Sequence, residues 1–184
     1  MRLFIGIPLA PAVTDQLATL RARLERPADG LRWSGPESWH ITLQFLGATT
    51  ESQYASVVQH LHSLVAAPVP IHLEGLGFFD RAGVFFVSVP ITPKLANLQQ
   101  RIMAATSLCG FVPEDRPFHP HITLAGNKGQ SAGIRTLKTR VGSLGWPAPT
   151  FPAFTAREFL LYESFPGQSG SRYDIRARFP LHAT

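Results

Sequence analysis

The tetrapeptide His-Ile-Thr-Leu occurs twice in this chain, at residues 40–43 and again at residues 121–124. Given one copy, a second by chance is expected on the order of once in a thousand chains of this length. Both copies sit in apolar segments that read as strands, where successive side chains point to opposite faces. His40 and Thr42 therefore share one face, and Ile41 and Leu43 share the other. The same holds for His121 and Thr123 against Ile122 and Leu124. A solenoid needs at least three repeats, so two copies predict two lobes related by approximate symmetry. Each lobe would anchor its strand with two apolar residues and offer an imidazole and a hydroxyl to a shared cleft.

The rest of the chain fits strands and helices around those two segments. Leu3 to Pro8 reads as a strand. After Pro11, the spacing Val13, Leu17, Leu20, Leu24 predicts a helix that stops near Pro27. An extended region over residues 31–46 ends in the first motif and is closed by Gly47. Thr50 and Gln53 then stand in capping-box spacing ahead of Tyr54, Val57, Leu61 and Leu64. Residues 69–79 and 83–89 read as two strands joined by a hairpin at Asp80-Arg81-Ala82-Gly83. A third helix is predicted from Thr92 and Pro93 to Gly110, and a proline-rich loop over 111–120 delivers the second motif. Residues 126–150 are read as loop with some local helix. Glu158 to Ser164 and Tyr173 to Phe179 close the chain as strands, with Tyr173, Ile175, Ala177 and Phe179 on the inner face.

At 184 residues the length suits one domain, residues 1–184, with a core large enough to need no staples. The N-terminal run Leu3 to Leu9 faintly imitates a signal peptide, but it is short, contains Gly6 and Pro8, and is read as the first strand. No apolar stretch approaches the roughly 20 residues needed to span a bilayer. Cys109 is the single cysteine, so no intrachain disulfide can form; it ends a helical apolar pattern and is read as a buried small residue. The cytoplasm is the expected compartment, and the chain is expected to be a monomer. Net charge is +5, and 3 of the 17 basic residues are lysines. Arginine forks bind phosphate bidentately, so this bias agrees with a phosphate-bearing partner.

Two imidazoles and two hydroxyls across one cleft match what opening a cyclic phosphodiester requires. One neutral imidazole takes a proton from the attacking water, and one protonated imidazole gives a proton to the departing ribose oxygen. Histidine suits both roles because its unperturbed pKa is about 6.5. Threonine hydroxyls can donate to the non-bridging oxygens, where charge builds in the transition state. His60, His62, His72 and His182 lack a Thr two residues on and are read as structural or surface groups. His119 shares strand parity with His121, but Pro120 removes a ladder donor between them, so it is read as a supporting or loop residue. A zinc site of His40, His119 and His121 is the competing metal reading; it leaves both threonines and the duplication unexplained.

At these residues the chain resembles the two-histidine phosphoesterase superfamily, whose mark is a pair of H-x-T-x motifs. Within it the sequence is most similar to the bacterial and archaeal RNA 2′,3′-cyclic phosphodiesterases, also called 2′-5′ RNA ligases or LigT-like proteins. The resemblance extends to Arg2-Leu3-Phe4-Ile5, Arg32-Trp33, Phe45-Leu46-Gly47, Arg116-Pro117-Phe118-His119-Pro120, Leu161-Tyr162-Glu163-Ser164 and Gly170-Ser171-Arg172-Tyr173. It implies a bilobed α+β fold in which two antiparallel sheets face a central cleft with helices packed outside. It implies hydrolysis of a terminal 2′,3′-cyclic phosphate of RNA to a 2′-phosphomonoester without metal or cofactor, with weak reverse ligation. By motif position, His40 would be proton donor and His121 proton acceptor.

One departure stands out: where relatives carry arginine two residues beyond the second motif, this chain has Gly126, followed by Asn127 and Lys128. Lys128 is the expected partial substitute as a phosphate contact. Phe4, Trp33 and Tyr173 are the expected base-stacking residues. Two other readings stay open, a cyclic phosphodiesterase acting on a small nucleotide or an ADP-ribose cyclic phosphate, and an RNA-end binding module without chemistry.

Overall fold

A computed structural model of the chain describes residues 1–130, 132–143, 149–167 and 170–182. The helices form where the apolar spacing demands them. Helix α1 (Pro11–Leu24) has Pro at its first turn and buries Val13, Leu17, Leu20 and Leu24. In α2 (Glu51–His62) the Thr50 hydroxyl accepts from the Gln53 amide, and the Gln53 side chain accepts in return from the Thr50 amide. Helix α3 (Pro93–Ser107) is capped by Thr92 and buries Leu95, Leu98, Ile102 and Thr106. Gly110, at φ +85°, ends that segment in the left-handed region.

Among the described residues, ten strands form two four-stranded sheets and a short ribbon. The first sheet has the order β10 (Arg172–Pro180), β9 (Glu158–Phe165), β1 (Arg2–Pro8), β3 (His40–Ala48). The second has the order β2 (Leu31–Trp33), β7 (His121–Asn127), β6 (Val84–Ser88), β5 (Leu76–Phe79). Every pairing is antiparallel. The lobes are therefore not successive halves of the chain: the first combines both ends, and β2 sits in the second lobe although it leads into β3 of the first. Residues 34–39 cross between them, tied by Ser34, whose amide donates to Leu124 O at 2.9 Å and whose hydroxyl donates to Thr123 O at 2.7 Å. One contiguous apolar cluster, from Ile5 and Leu17 to Leu124 and Phe159, underlies both lobes.

Several expected segments differ in detail. The stretch 69–79 is two strands, β4 (Val69–Ile71), which pairs with β8 (Phe154–Ala156), and β5. Gly75, at φ +71°, breaks the run between them. In the stretch over residues 126–150, read as loop with some local helix, the local helix is α4 (Gly133–Ser143), which buries Ile134 and Leu137 at helical spacing; residues 131 and 144–148 of that stretch lie outside the described residues. In β10 a register shift between Ile175 and Ala177 breaks the alternation, and Ile175 is left 46% exposed while Phe179 stays buried. Cys109 is buried, as its place in the apolar pattern predicts.

Candidate active site

Strands β3 and β7 carry the two motifs with matching backbone irregularities. On β3, Gly6 opposes Thr42 and Ile5 opposes Gln44, so Leu43 is an extra, bulged residue. On β7, Phe86 opposes Thr123 and Phe85 opposes Ala125, so Leu124 is bulged in the same way. Each bulge turns two consecutive residues inward: Leu43 and Gln44 are 3% and 5% exposed, and Leu124 and Ala125 are 0% and 1%. The next residue to face out is then Phe45 on β3, 66% exposed, and Gly126 at the corresponding place on β7. Buried Gln44 is satisfied by the Thr106 hydroxyl, which donates to its Oε1 at 2.9 Å.

The histidines are held alike. His40 Nδ1 lies 2.8 Å from Ser38 O, and His121 Nδ1 lies 2.7 Å from His119 O. A carbonyl only accepts, so each Nδ1 carries the hydrogen, and each Nε2 is left as the basic atom. His40 Nε2 is 3.1 Å from Thr42 Oγ1. Behind His40 stand Phe4 at 4.6 Å between ring centroids, Tyr173 edge-on at 5.2 Å and Tyr162 at 5.6 Å. Behind His121 stand Phe79 edge-on at 5.0 Å and Phe86 at 5.2 Å. Two glycines make these supports fit. A Cβ on Gly6 would meet Ile41 O at 2.9 Å and the His40 ring at 3.3 Å, and one on Gly77 would collide with the Phe86 ring.

His40, Thr42, His121 and Thr123 line one cavity of about 500 Å³, with Arg2, Phe4, Ser34, Ser38, Phe45 and Tyr173 around them. Burial pushes the His40 imidazole down to about 4, with the backbone bond to Ser38 opposing and the charge of His121 assisting. Burial likewise lowers His121, opposed by its bond to the His119 carbonyl and assisted by the His119 ring. Both imidazoles are thus neutral near pH 7 in the free protein. Burial also pushes the Tyr162 phenol up to about 12, so it serves as an uncharged wall.

The four motif residues expected to act together are brought together, and Phe4 and Tyr173 join them. Trp33 does not line the cleft: its Nε1 donates to Asp29 Oδ2 at 2.9 Å and its ring packs edge-on against Phe85. Lys128 lies past the end of β7, exposed and outside the lining, its amide bonded to Gly30 O at 2.9 Å. His119 is exposed, with its ring 6.1 Å from that of His121. Among the described residues no three His, Cys, Asp or Glu side chains are grouped to hold a metal ion, the set His40, His119 and His121 included. Phe45 and Arg2 reach the cleft without having been singled out as contacts. Phe45 is three residues beyond Thr42, a parity that only the bulge explains.

The LigT-like phosphoesterase family matches this chain over residues 7–86 and 85–173. The RNA 2′,3′-cyclic phosphodiesterase of Archaeoglobus fulgidus is 26% identical over 180 residues, which cover 96% of this chain and 98% of that protein. The RNA 2′,3′-cyclic phosphodiesterase of Thermotoga maritima is 31% identical over 129 residues, 67% of this chain and 68% of that one. The crystal structure of E. coli LigT complexed with 3′-AMP superposes with a TM-score of 0.80 at 25% identity, covering 98% of this chain and 97% of that one.

Proposed function

Since this chain belongs to the LigT-like phosphoesterase family, we propose that it hydrolyses the 2′,3′-cyclic phosphate at an RNA end to a 2′-phosphomonoester. The observation that carries this reading is the pair of imidazoles anchored alike through Nδ1, each with a threonine hydroxyl two residues on, around one cavity. In-line opening needs a base on one side of phosphorus and an acid on the other. His121 Nε2 takes the proton of the attacking water as the water oxygen bonds to phosphorus. The bond from phosphorus to O3′ breaks, and His40 Nε2 gives its proton to O3′. Thr42 and Thr123 donate to the non-bridging oxygens, and Arg2 at the cavity wall adds positive charge. These groups account for the proton transfers and for the phosphoryl charge without a metal ion. With a 5′-hydroxyl in place of water, the same steps form a 2′-5′ linkage.

His40 is the harder of the two to charge, so its role as donor depends on the phosphate anion beside it. That anion favours the imidazolium in the bound state. The greater depression at His40 favours a second ordering, with His121 as donor and His40 as acceptor. A cyclic phosphorothiolate whose 3′-sulfur leaves without protonation separates them: it restores turnover to whichever histidine variant lacks the donor.

The test of the main reading is to incubate the protein with an oligonucleotide ending in a 2′,3′-cyclic phosphate and to follow the end group. A 2′-phosphate product is expected. An end left intact would favour a binding module instead, and turnover confined to small cyclic phosphates would move the substrate to that class.

A further inference from the structure

The cleft does not end at the histidines. On the far side of His121 a second cavity of about 820 Å³ opens, sharing Thr42, Phe45 and His121 with the first. A hydrolytic water takes up only about 30 Å³ in the liquid, so chemistry alone does not require this space. We propose that this second arm binds the nucleotide immediately upstream of the cyclic end, an inference that rests on the RNA-end reading above.

Its lining combines aromatic rings with two guanidinium groups, the composition of a single-stranded nucleic-acid groove. Phe79 and Phe118 form apolar wall, and Phe45, 66% exposed, stands where the two arms meet. Arg81, on the β5–β6 turn, and Arg116, on the proline-rich loop, lie on the same arm. Two carboxylates also line it, and both are already paired. Asp80 is bonded by Lys138 at 3.0 Å, and Glu114 is bonded by Arg116 Nε at 2.6 Å. Arg81 is exposed and has no ion-pair partner among the described residues, so it is the charge left for a phosphodiester. The terminal nucleoside occupies the first arm against Tyr173, and the strand continues past Phe45 toward Arg81.

The test compares kcat/KM on a 2′,3′-cyclic mononucleotide with that on a dinucleotide bearing the same end. Stacking of one further base predicts at least about a fivefold advantage for the dinucleotide. Arg81→Glu should cut the dinucleotide-to-mononucleotide ratio by roughly tenfold, and more at low salt than at high salt. Arg81 is exposed on a turn, which keeps the fold out of the comparison; Phe118→Ala, checked for folding by circular dichroism, is the second variant and should lower the same ratio. Equal kcat/KM on the two substrates, or an Arg81→Glu loss shared equally between them, overturns the proposal. If neither substrate is opened by the unaltered protein, the RNA-end reading itself has failed.

Discussion

The pH dependence of kcat/KM follows from the burial of the two imidazoles. The active form holds one proton shared between them, so kcat/KM is bounded by the two pKa values of the free protein. Burial takes His40 from 6.5 to about 4. At about 1.36 kcal/mol per pH unit, charging it in the empty cleft costs about 3 kcal/mol. His121 is lowered as well, so the upper bound also lies below 6.5. For a histidine whose pKa is lowered, the neutral form dominates above that value. The singly protonated pair is therefore most populated between about 4 and the His121 value, and above it the population falls about tenfold per pH unit. Steady-state kinetics on a cyclic-phosphate oligonucleotide should put the kcat/KM maximum on the acid side of about 6.5, with at least roughly a tenfold loss by about pH 7.5. The kcat maximum should lie at higher pH, because the bound phosphate anion favours the imidazolium. A kcat/KM maximum above about pH 7 would refute the argument that burial sets these two pKa values.

Replacing either histidine, as His40→Ala or His121→Ala, should cost roughly 10² to 10⁴ in turnover, and the double variant should cost little more than the worse single one. Thr42→Val and Thr123→Val keep the shape and remove a donor; losses of roughly 10² to 10³ in kcat are expected, measured with saturating substrate. Gly6→Ala touches no substrate but pushes on the His40 ring and the Ile41 carbonyl. It should lower kcat by about tenfold or more with the folded state retained, as a thermal melt beside the kinetics would show. Dialysis against excess chelator should leave the rate unchanged, and a rate restored only by added metal would point to a different mechanism.

The sequence by itself specified the elements that rest on local physics. Val13, Leu17, Leu20 and Leu24 at helical spacing, Thr50 with Gln53, and Thr92 before Pro93 mark helix faces and caps that need no distant partner to be read. The duplicated His-Ile-Thr-Leu likewise fixed the four motif residues, because strand alternation alone puts the imidazole and hydroxyl on one face and the anchors on the other. Tertiary structure decided what depends on register. Alternation along β3 puts Gln44 beside Thr42 and turns Phe45 away; the bulge at Leu43 reverses this, burying Gln44 and presenting Phe45. A bulge arises from pairing with a particular partner strand, so no periodicity within β3 announces it. Trp33 and Lys128 fell outside the cleft for the same kind of reason: β2 pairs with β7 in the second sheet, which sends one ring onto Phe85 and carries the lysine past the strand's end. The depressed pKa values are also tertiary, since they come from removal of water by side chains such as Phe4 and Tyr162, which β1 and β9 bring from opposite ends of the chain.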